Sequence, residues 1–123
     1  MATDQDIETF IGDSFASIWD LELLAVLLES PQERLTSAEL VERMRASELV
    51  VTQGIRALVA AGIASIDEDG QIQFQPASPA LEGCARQARD FYRRFPGRAR
   101  RLMIARQTPG LTAFADAFKL RKD

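Results

Sequence analysis

Few side chains in this sequence could carry out acid–base, nucleophilic or metal chemistry. The 123 residues include no histidine, which removes the commonest general base and the commonest metal ligand. Cys84 is the single cysteine and lies on the apolar stripe of a predicted helix, so we expect a buried, unreactive thiol. No Asp or Glu lies in an apolar context that would raise its pKa, and there is no glycine-rich phosphate loop or CxxC motif. We therefore expect no enzyme, no cofactor and no metal site.

The charged residues favour binding chemistry instead, because they are unevenly distributed along the chain. Residues 1–46 contain ten acidic and three basic residues, and residues 47–80 contain four acidic residues and one basic residue. Residues 81–123 contain eleven basic and four acidic residues, and arginines dominate this third. It has three interpretations: a face that is solvated or pairs with the acidic first third, a surface that contacts phosphates, or a docking site for an acidic protein partner.

Capping residues followed by apolar stripes predict helices that would position these charges. Residues 1–16 form a flanking helix, and Ser17, with Asp20 three residues later, begins a helix that runs to Leu28. A third helix starts after Thr36 or Ser37. The apolar positions that we expect in the core are Trp19, Leu23, Leu27, Leu40, Val51, Ile55 and Leu58.

The next segment changes from helical to alternating periodicity. Ser47 caps a fourth helix, Gly62 ends it, and residues 63–75 then read as a β-hairpin with Gly70 in a left-handed turn position. Pro79 opens a further helical region, which Pro96-Gly97 and Pro109-Gly110 divide.

The length suits one compact domain with three parts. We assign residues 1–16 to an N-terminal flanking helix, residues 17–79 to the central unit and residues 80–123 to arginine-rich helices for dimerisation or partner binding. No apolar run has membrane-spanning length, the N-terminus lacks the basic character of a leader, and a disulfide within the chain is excluded. We expect a cytoplasmic protein without a membrane partner.

The order helix, helix, turn, helix, hairpin over residues 35–74 resembles the bacterial winged helix-turn-helix transcription regulators, MarR-like or ArsR-like in size. The residues that carry the resemblance are the run LTSAEL from Leu35, the serine before Val51, Ile55 and Leu58, and Ala61-Gly62-Ile63 before the hairpin. The resemblance implies a mainly α fold with a small β-hairpin, extra helices at both ends, and sequence-specific binding of double-stranded DNA.

By the same resemblance, the helix after Ser47 enters the major groove and Thr52, Gln53 and Arg56 approach base edges. Glutamine can pair with adenine, arginine with guanine, and threonine can contact a thymine methyl group. The DNA contacts that we expect are Arg43, Arg45, Ser47, Thr52, Gln53, Arg56, Arg86, Arg89 and Arg93. Homodimerisation would read two half-sites, through an interface that we assign to Ile7, Phe10, Ile11, Leu111, Phe114 and Phe118.

The predicted wing departs from the family pattern, because its tip is Asp67-Glu68-Asp69 and carboxylates are repelled by phosphates. Leu49 and Val50 also project from the same helix as the base readers. These features favour an alternative function, a winged-helix module that binds transcription machinery or another regulator and does not bind DNA. A ligand-responsive regulator, with a pocket near Trp19, Phe91 and Tyr92, is a variant of the DNA-binding hypothesis.

Overall fold

The computed structural model describes residues 3–107, and for residues 106 and 107 the backbone alone. Within that range the chain forms helices and one antiparallel β-hairpin. In chain order the elements are α1 (Asp4–Ser14), α2 (Ile18–Glu29), α3 (Ser37–Met44), α4 (Glu48–Ala60), β1 (Ala64–Ile66), β2 (Ile72–Phe74), α5 (Pro79–Arg94) and α6 (Pro96–Gln107). This confirms the coarse prediction of a mainly helical protein with a small β-hairpin.

The helix starts follow the capping signals in the sequence. At the start of α3, the Thr36 hydroxyl accepts a hydrogen bond from the Glu39 amide (3.1 Å), and the Glu39 carboxylate accepts one from the Thr36 amide (3.1 Å). The Ser47 hydroxyl accepts from the Val50 amide (3.2 Å) and thereby begins α4. These bonds satisfy amide groups that have no partner inside the helix, so α3 and α4 each begin directly after a residue whose hydroxyl caps them.

Gly62 ends α4 in the left-handed conformation, with φ of +77°. Its amide donates to the Val59 carbonyl (3.0 Å), and the Ile63 amide donates to the Leu58 carbonyl (2.9 Å). This pair of bonds is a Schellman motif, which a glycine accommodates without a steric penalty. The chain therefore leaves α4 directly into β1.

β1 and β2 pair with Ser65 opposite Gln73, and Gly70 takes the left-handed position of the connecting turn (φ +79°). Leu35, just before α3, extends the pairing to the other side of β2. It exchanges two hydrogen bonds with Ile72, of 2.8 and 2.7 Å. This bridge was not among the features predicted from the sequence, and it fixes the hairpin to the segment that leads into α3.

One core joins the three parts of the chain, because buried side chains from Ile7 to Met103 form a single cluster. α1 packs on α5 and α6, and α2 packs against α3, α4 and α5. Ile7 and Ile11 lie inside this core, where their side chains are covered by the same chain, which argues against the predicted contact with a second copy. Their side chains are buried where α1 packs against α5 and α6.

One expectation about α2 is overturned, and its neighbouring residue is unexpectedly buried. The sequence predicts Trp19 in the core, but the residue is 38% exposed. Asp20, beside it, is only 3% exposed and its carboxylate packs among backbone and apolar groups. The helix turns Asp20 inward and Trp19 toward its edge, because Leu21, Leu24 and Leu28 on one side and Leu23 and Leu27 on the other centre the buried face near residue 20.

None of the helices within residues 3–107 is both long enough and apolar enough to cross a membrane.

Candidate nucleic-acid interface

A tight turn joins α3 to α4 and sets their relative position. Arg45 closes α3 in the left-handed conformation (φ 52°), and the Ala46 amide donates to the Val41 carbonyl at 3.3 Å. Ser47 then begins α4 as its cap. A left-handed arginine is uncommon, since the Cβ atom crowds the backbone there, so packing of α3 against α4 and α2 must hold this turn.

One face of α4 anchors the helix to the rest of the protein. Val51, Ile55 and Leu58 are buried, as the sequence analysis predicted. Gly54, on the same face, lies against α2: a Cβ atom there would be 3.1 Å from Leu23 Cδ2 and 3.4 Å from Asp20 Oδ1. α4 is therefore seated on α2 at close range, and its opposite face is free to meet a partner.

The outward face of α4 presents hydrogen-bonding side chains. Thr52, Gln53 and Arg56 are exposed, and their three- and four-residue spacings place them side by side on the helix. No carboxylate within the described part of the chain lies within 4 Å of the Arg56 guanidinium. The same face is also apolar in part, because Leu49 is 66% exposed and Val59 is exposed near its end.

The turn of the hairpin is less acidic toward solvent than its sequence suggests. Asp67 Oδ1 accepts hydrogen bonds from the amides of Asp69 and Gln71, both at 2.9 Å. Asp67 Oδ2 lies 3.6 Å from Arg34 Nη1. The Asp67 carboxylate thus stabilises the turn and is partly neutralised, so Glu68 and Asp69 are the two carboxylates that project from the tip.

The predicted cationic contacts near α4 are only partly available. Arg43 Nη2 is 3.6 Å from Glu33 Oε2, while Arg45 is exposed. The Ser47 hydroxyl is engaged as the cap of α4, although the residue itself is exposed. Between residues 34 and 75, four arginines face six carboxylates, so this surface is net negative.

Of the three α5 arginines that are predicted to contact DNA, two are paired with carboxylates and one is not. Arg86 Nε is 3.1 Å from Glu82 Oε2, and its guanidinium lies over the Phe74 ring, 5.5 Å from the ring centroid. Arg89 Nε is 2.9 Å from Asp90 Oδ1, and the Arg89 side chain is half-buried. Arg93 is exposed and has no carboxylate within 4 Å among the described residues. Helical spacing places these arginines on one side of α5 but cannot show which of them are already paired.

The packing of α5 on α2 includes a polar contact that sequence reasoning missed. The Tyr92 hydroxyl donates a hydrogen bond to Glu22 Oε1 at 2.5 Å. Burial, this hydrogen bond and the Glu22 charge raise the pKa of Tyr92 to about 12, while Arg100 opposes the shift. Tyr92 is thus a structural link, and it does not line the cavity that borders Phe91.

That cavity, of about 230 Å³, lies between α1 and α5. The ligand-responsive hypothesis placed a pocket near Trp19, Phe91 and Tyr92. Of these three, Phe91 alone borders the cavity, whose other lining residues are Asp4, Ile7, Gln87, Asp90, Arg94 and Phe95.

Asp20 is the carboxyl group with a raised pKa that the sequence analysis did not anticipate. Its Oδ2 accepts hydrogen bonds from the amides of Ala16 (2.7 Å) and Ser17 (3.4 Å). Burial raises the pKa of Asp20, and these two hydrogen bonds oppose the shift. The group is enclosed at the start of α2, so it has no access to a substrate and serves the structure. The Ser17-x-x-Asp20 spacing carried the signal, as a capping pattern before an apolar run.

The remaining predicted interface residues divide into two groups. Phe10 is half-buried and packs edge-on against Phe15, with ring centroids 5.7 Å apart. Leu111, Phe114 and Phe118 lie outside the described residues.

The described residues contain no cluster of three or more Cys, Asp or Glu side chains arranged to hold a metal ion. Comparison of the chain with protein family models, with curated proteins and with solved structures finds no match.

Proposed function

We propose that this chain is a sequence-specific DNA-binding transcription regulator of the winged helix-turn-helix type, which acts as a homodimer and reads the major groove with α4. The observation that supports this best is the two-sided character of α4. Its inner face is fixed by Val51, Ile55 and Leu58, and its outer face offers Thr52, Gln53 and Arg56. A rigidly seated helix with exposed glutamine and arginine side chains suits the reading of base edges.

The hairpin supports the same proposal through its position. β1 follows α4 after three residues, and β2 is held by Leu35 on the other side. The hairpin is therefore tied to the end of α4 and to the segment before α3, which supports a role as the wing beside a groove. Pairing of Asp67 with Arg34 reduces the charge that would oppose a phosphate.

The test is selection of bound sequences from a random duplex library at about 50 mM salt, where phosphate contacts help most. A regulator of this type recovers a preferred sequence with two half-sites. Arg56→Ala and Gln53→Ala should each relax the preference at one base position, by about 1–3 kcal/mol of discrimination. Gln5→Ala, at an exposed position of α1, is the matched control and should leave the preference unchanged. Failure to retain any duplex at this salt concentration would remove the proposal.

A second candidate function is a module that binds a protein through α4. The exposed apolar side chains on this helix favour it, Leu49 above all, because apolar groups are more typical of a protein interface than of a phosphate surface. A photo-crosslinking amino acid in place of Leu49 would distinguish the two functions in cells. Adducts to one recurrent protein, absent when the same amino acid replaces Gln5, support the module. Adducts to DNA support the regulator.

A further inference from the structure

Three arginines of α5 and α6 form ion pairs with carboxylates of the same chain. The pairs are Arg86 with Glu82 (3.1 Å), Arg89 with Asp90 (2.9 Å) and Arg98 with Glu8 (2.5 Å). Four other arginines on these helices are exposed, and no carboxylate of residues 3–107 lies within 4 Å of them. We call Arg93, Arg94, Arg100 and Arg101 the unpaired set.

We propose that the unpaired set is a phosphate-contacting surface that supplies the nucleic-acid affinity which α4 and the hairpin lack. The inference rests on the proposed function, because it takes duplex DNA as the polyanion. Contacts to phosphates provide much of the affinity of DNA-binding proteins, and several cations are needed for them. The surface from residue 34 to residue 75 is net negative, whereas residues 81–107 carry eight arginines and two carboxylates.

The composition of this surface favours phosphates over a protein partner. Protein interfaces have cores that are depleted of charge, whereas four guanidinium groups lie here within nine residues of sequence. Guanidinium groups bind phosphate oxygens through two parallel hydrogen bonds, and residues 81–107 contain arginines but no lysine.

An aromatic pair supports the corner where α5 meets α6. Phe95 is exposed there, and its ring centroid lies 5.3 Å from that of Phe91. The Arg94 guanidinium lies over the Phe95 ring, 5.5 Å from the centroid. This contact restricts the long arginine side chain at the surface, which lowers the entropy that it loses when it binds an anion.

The experiment compares two double variants on one helix that change the net charge equally. Arg93→Gln with Arg94→Gln removes two unpaired arginines, and Arg86→Gln with Arg89→Gln removes two paired ones. The affinity for a fixed duplex is measured by fluorescence anisotropy between about 50 and 200 mM salt. The slope of log affinity against log salt should fall by about 2 in the first variant, about 1 for each lost phosphate contact. In the second variant the slope should stay close to that of the wild type, because Glu82 and Asp90 already pair with these two guanidinium groups. The unpaired set thus takes the place of Arg86 and Arg89, which helical spacing alone predicts as DNA contacts.

A second unpaired double variant, Arg100→Gln with Arg101→Gln, should lower the slope by a similar amount. All of these side chains are at least partly exposed, and circular dichroism checks that each variant remains folded. Equal slopes for the paired and unpaired variants would overturn the inference, because net charge alone would then explain binding. Competition by polyglutamate as strong as by duplex of equal charge would also overturn it, in favour of an acidic protein partner.

These experiments distinguish failure of the phosphate surface from failure of the proposed regulator function. If Arg56→Ala relaxes base preference but the unpaired variants keep the full salt slope, the phosphate surface is wrong and the regulator stands. If the unpaired variants lose slope but the wild type selects no sequence, the regulator is wrong and the surface binds nucleic acid without specificity.

Discussion

Asp20 illustrates how a single side chain connects charge and architecture. Its carboxylate accepts two backbone amides at the start of α2 and also faces Gly54 of α4. A larger residue at position 54 would push against this carboxylate or against Leu23. The close seating of α4 therefore depends on a short polar side chain on one helix and on the missing side chain of the other.

The raised pKa of Asp20 predicts a pH-dependent contribution to stability. Because the folded-state pKa lies above that of the unfolded chain, the native state retains the proton at pH values where the unfolded chain has lost it. The stability from this carboxyl is thus complete at low pH and is lost as the pH rises through the folded-state pKa. Urea unfolding between about pH 4 and pH 7 should show that the wild type loses more stability than Asp20→Asn, which does not titrate.

Asp20→Ala is the control for this prediction. It removes the acceptor for the Ala16 and Ser17 amides, so it should be destabilised by about 1–3 kcal/mol at every pH. Parallel pH profiles for the wild type and Asp20→Asn would contradict the assignment.

Tyr92 offers a direct measurement, because the chain contains a single tyrosine. Its phenolate absorbance should titrate near pH 12, well above the ordinary value of 10. Glu22→Gln should lower the midpoint, since the carboxylate charge no longer disfavours the phenolate, while burial keeps it above 10. A wild-type midpoint at the ordinary value, with the fold intact by circular dichroism, would show that the Tyr92–Glu22 hydrogen bond does not form.

At the scale of elements, the end of α4 and the turn of the hairpin use glycine for partly different reasons. Gly62 and Gly70 have nearly the same positive φ, of 77° and 79°. A Cβ atom at Gly62 would lie 3.2 Å from Leu81 Cδ2, whereas nothing lies within 4 Å at Gly70. Gly62 therefore combines a conformational requirement with close packing against α5.

Alanine substitutions separate these two contributions. Gly70→Ala should cost about 1 kcal/mol, the conformational penalty alone. Gly62→Ala should cost more, by the strain of moving Leu81 or the chain around it. Guanidinium unfolding of both variants gives the comparison, and an equal or smaller loss for Gly62→Ala would mean that Leu81 adjusts freely.

The elements are predictable from the sequence to the extent that their signals are local. Thr36, Ser47, Gly62 and Gly70 act through neighbours a few residues away, so the sequence alone is enough to infer their roles. Which other element packs over a helix face is not determined by neighbouring residues in the sequence. Periodicity predicts the stripe of Ile7 and Ile11 but not that α5 and α6 bury it, and the same limit applies to Trp19 and to the pairing of Arg86 and Arg89.

At the scale of the whole molecule, α1 is part of the common core and not a separate attachment. Ile11 is fully buried against it, and the Arg98–Glu8 pair joins α6 to α1 at the surface. Loss of α1 packing should therefore weaken the entire fold, including the seat of α4, in one cooperative transition.

Ile11→Ala tests whether this residue belongs to the core or to an interface between copies of the chain. Truncation of a fully buried isoleucine should cost about 2–5 kcal/mol of unfolding free energy. Sedimentation of the folded fraction should give the same association state as the wild type. Unchanged stability together with loss of self-association would instead place Ile11 at a contact between copies. Phe10→Ala, at a half-buried neighbouring position, should cost less than Ile11→Ala.

The partial exposure of Trp19 has a practical consequence. It is the single tryptophan of the chain, and it lies on α2 next to the residue that faces Gly54. Its indole emission is therefore an intrinsic, label-free reporter of the environment beside the α2–α4 contact. A ligand that tilted α4 relative to α2 would shift the wavelength of that emission. A ligand that bound elsewhere without moving α4 would leave the spectrum unchanged.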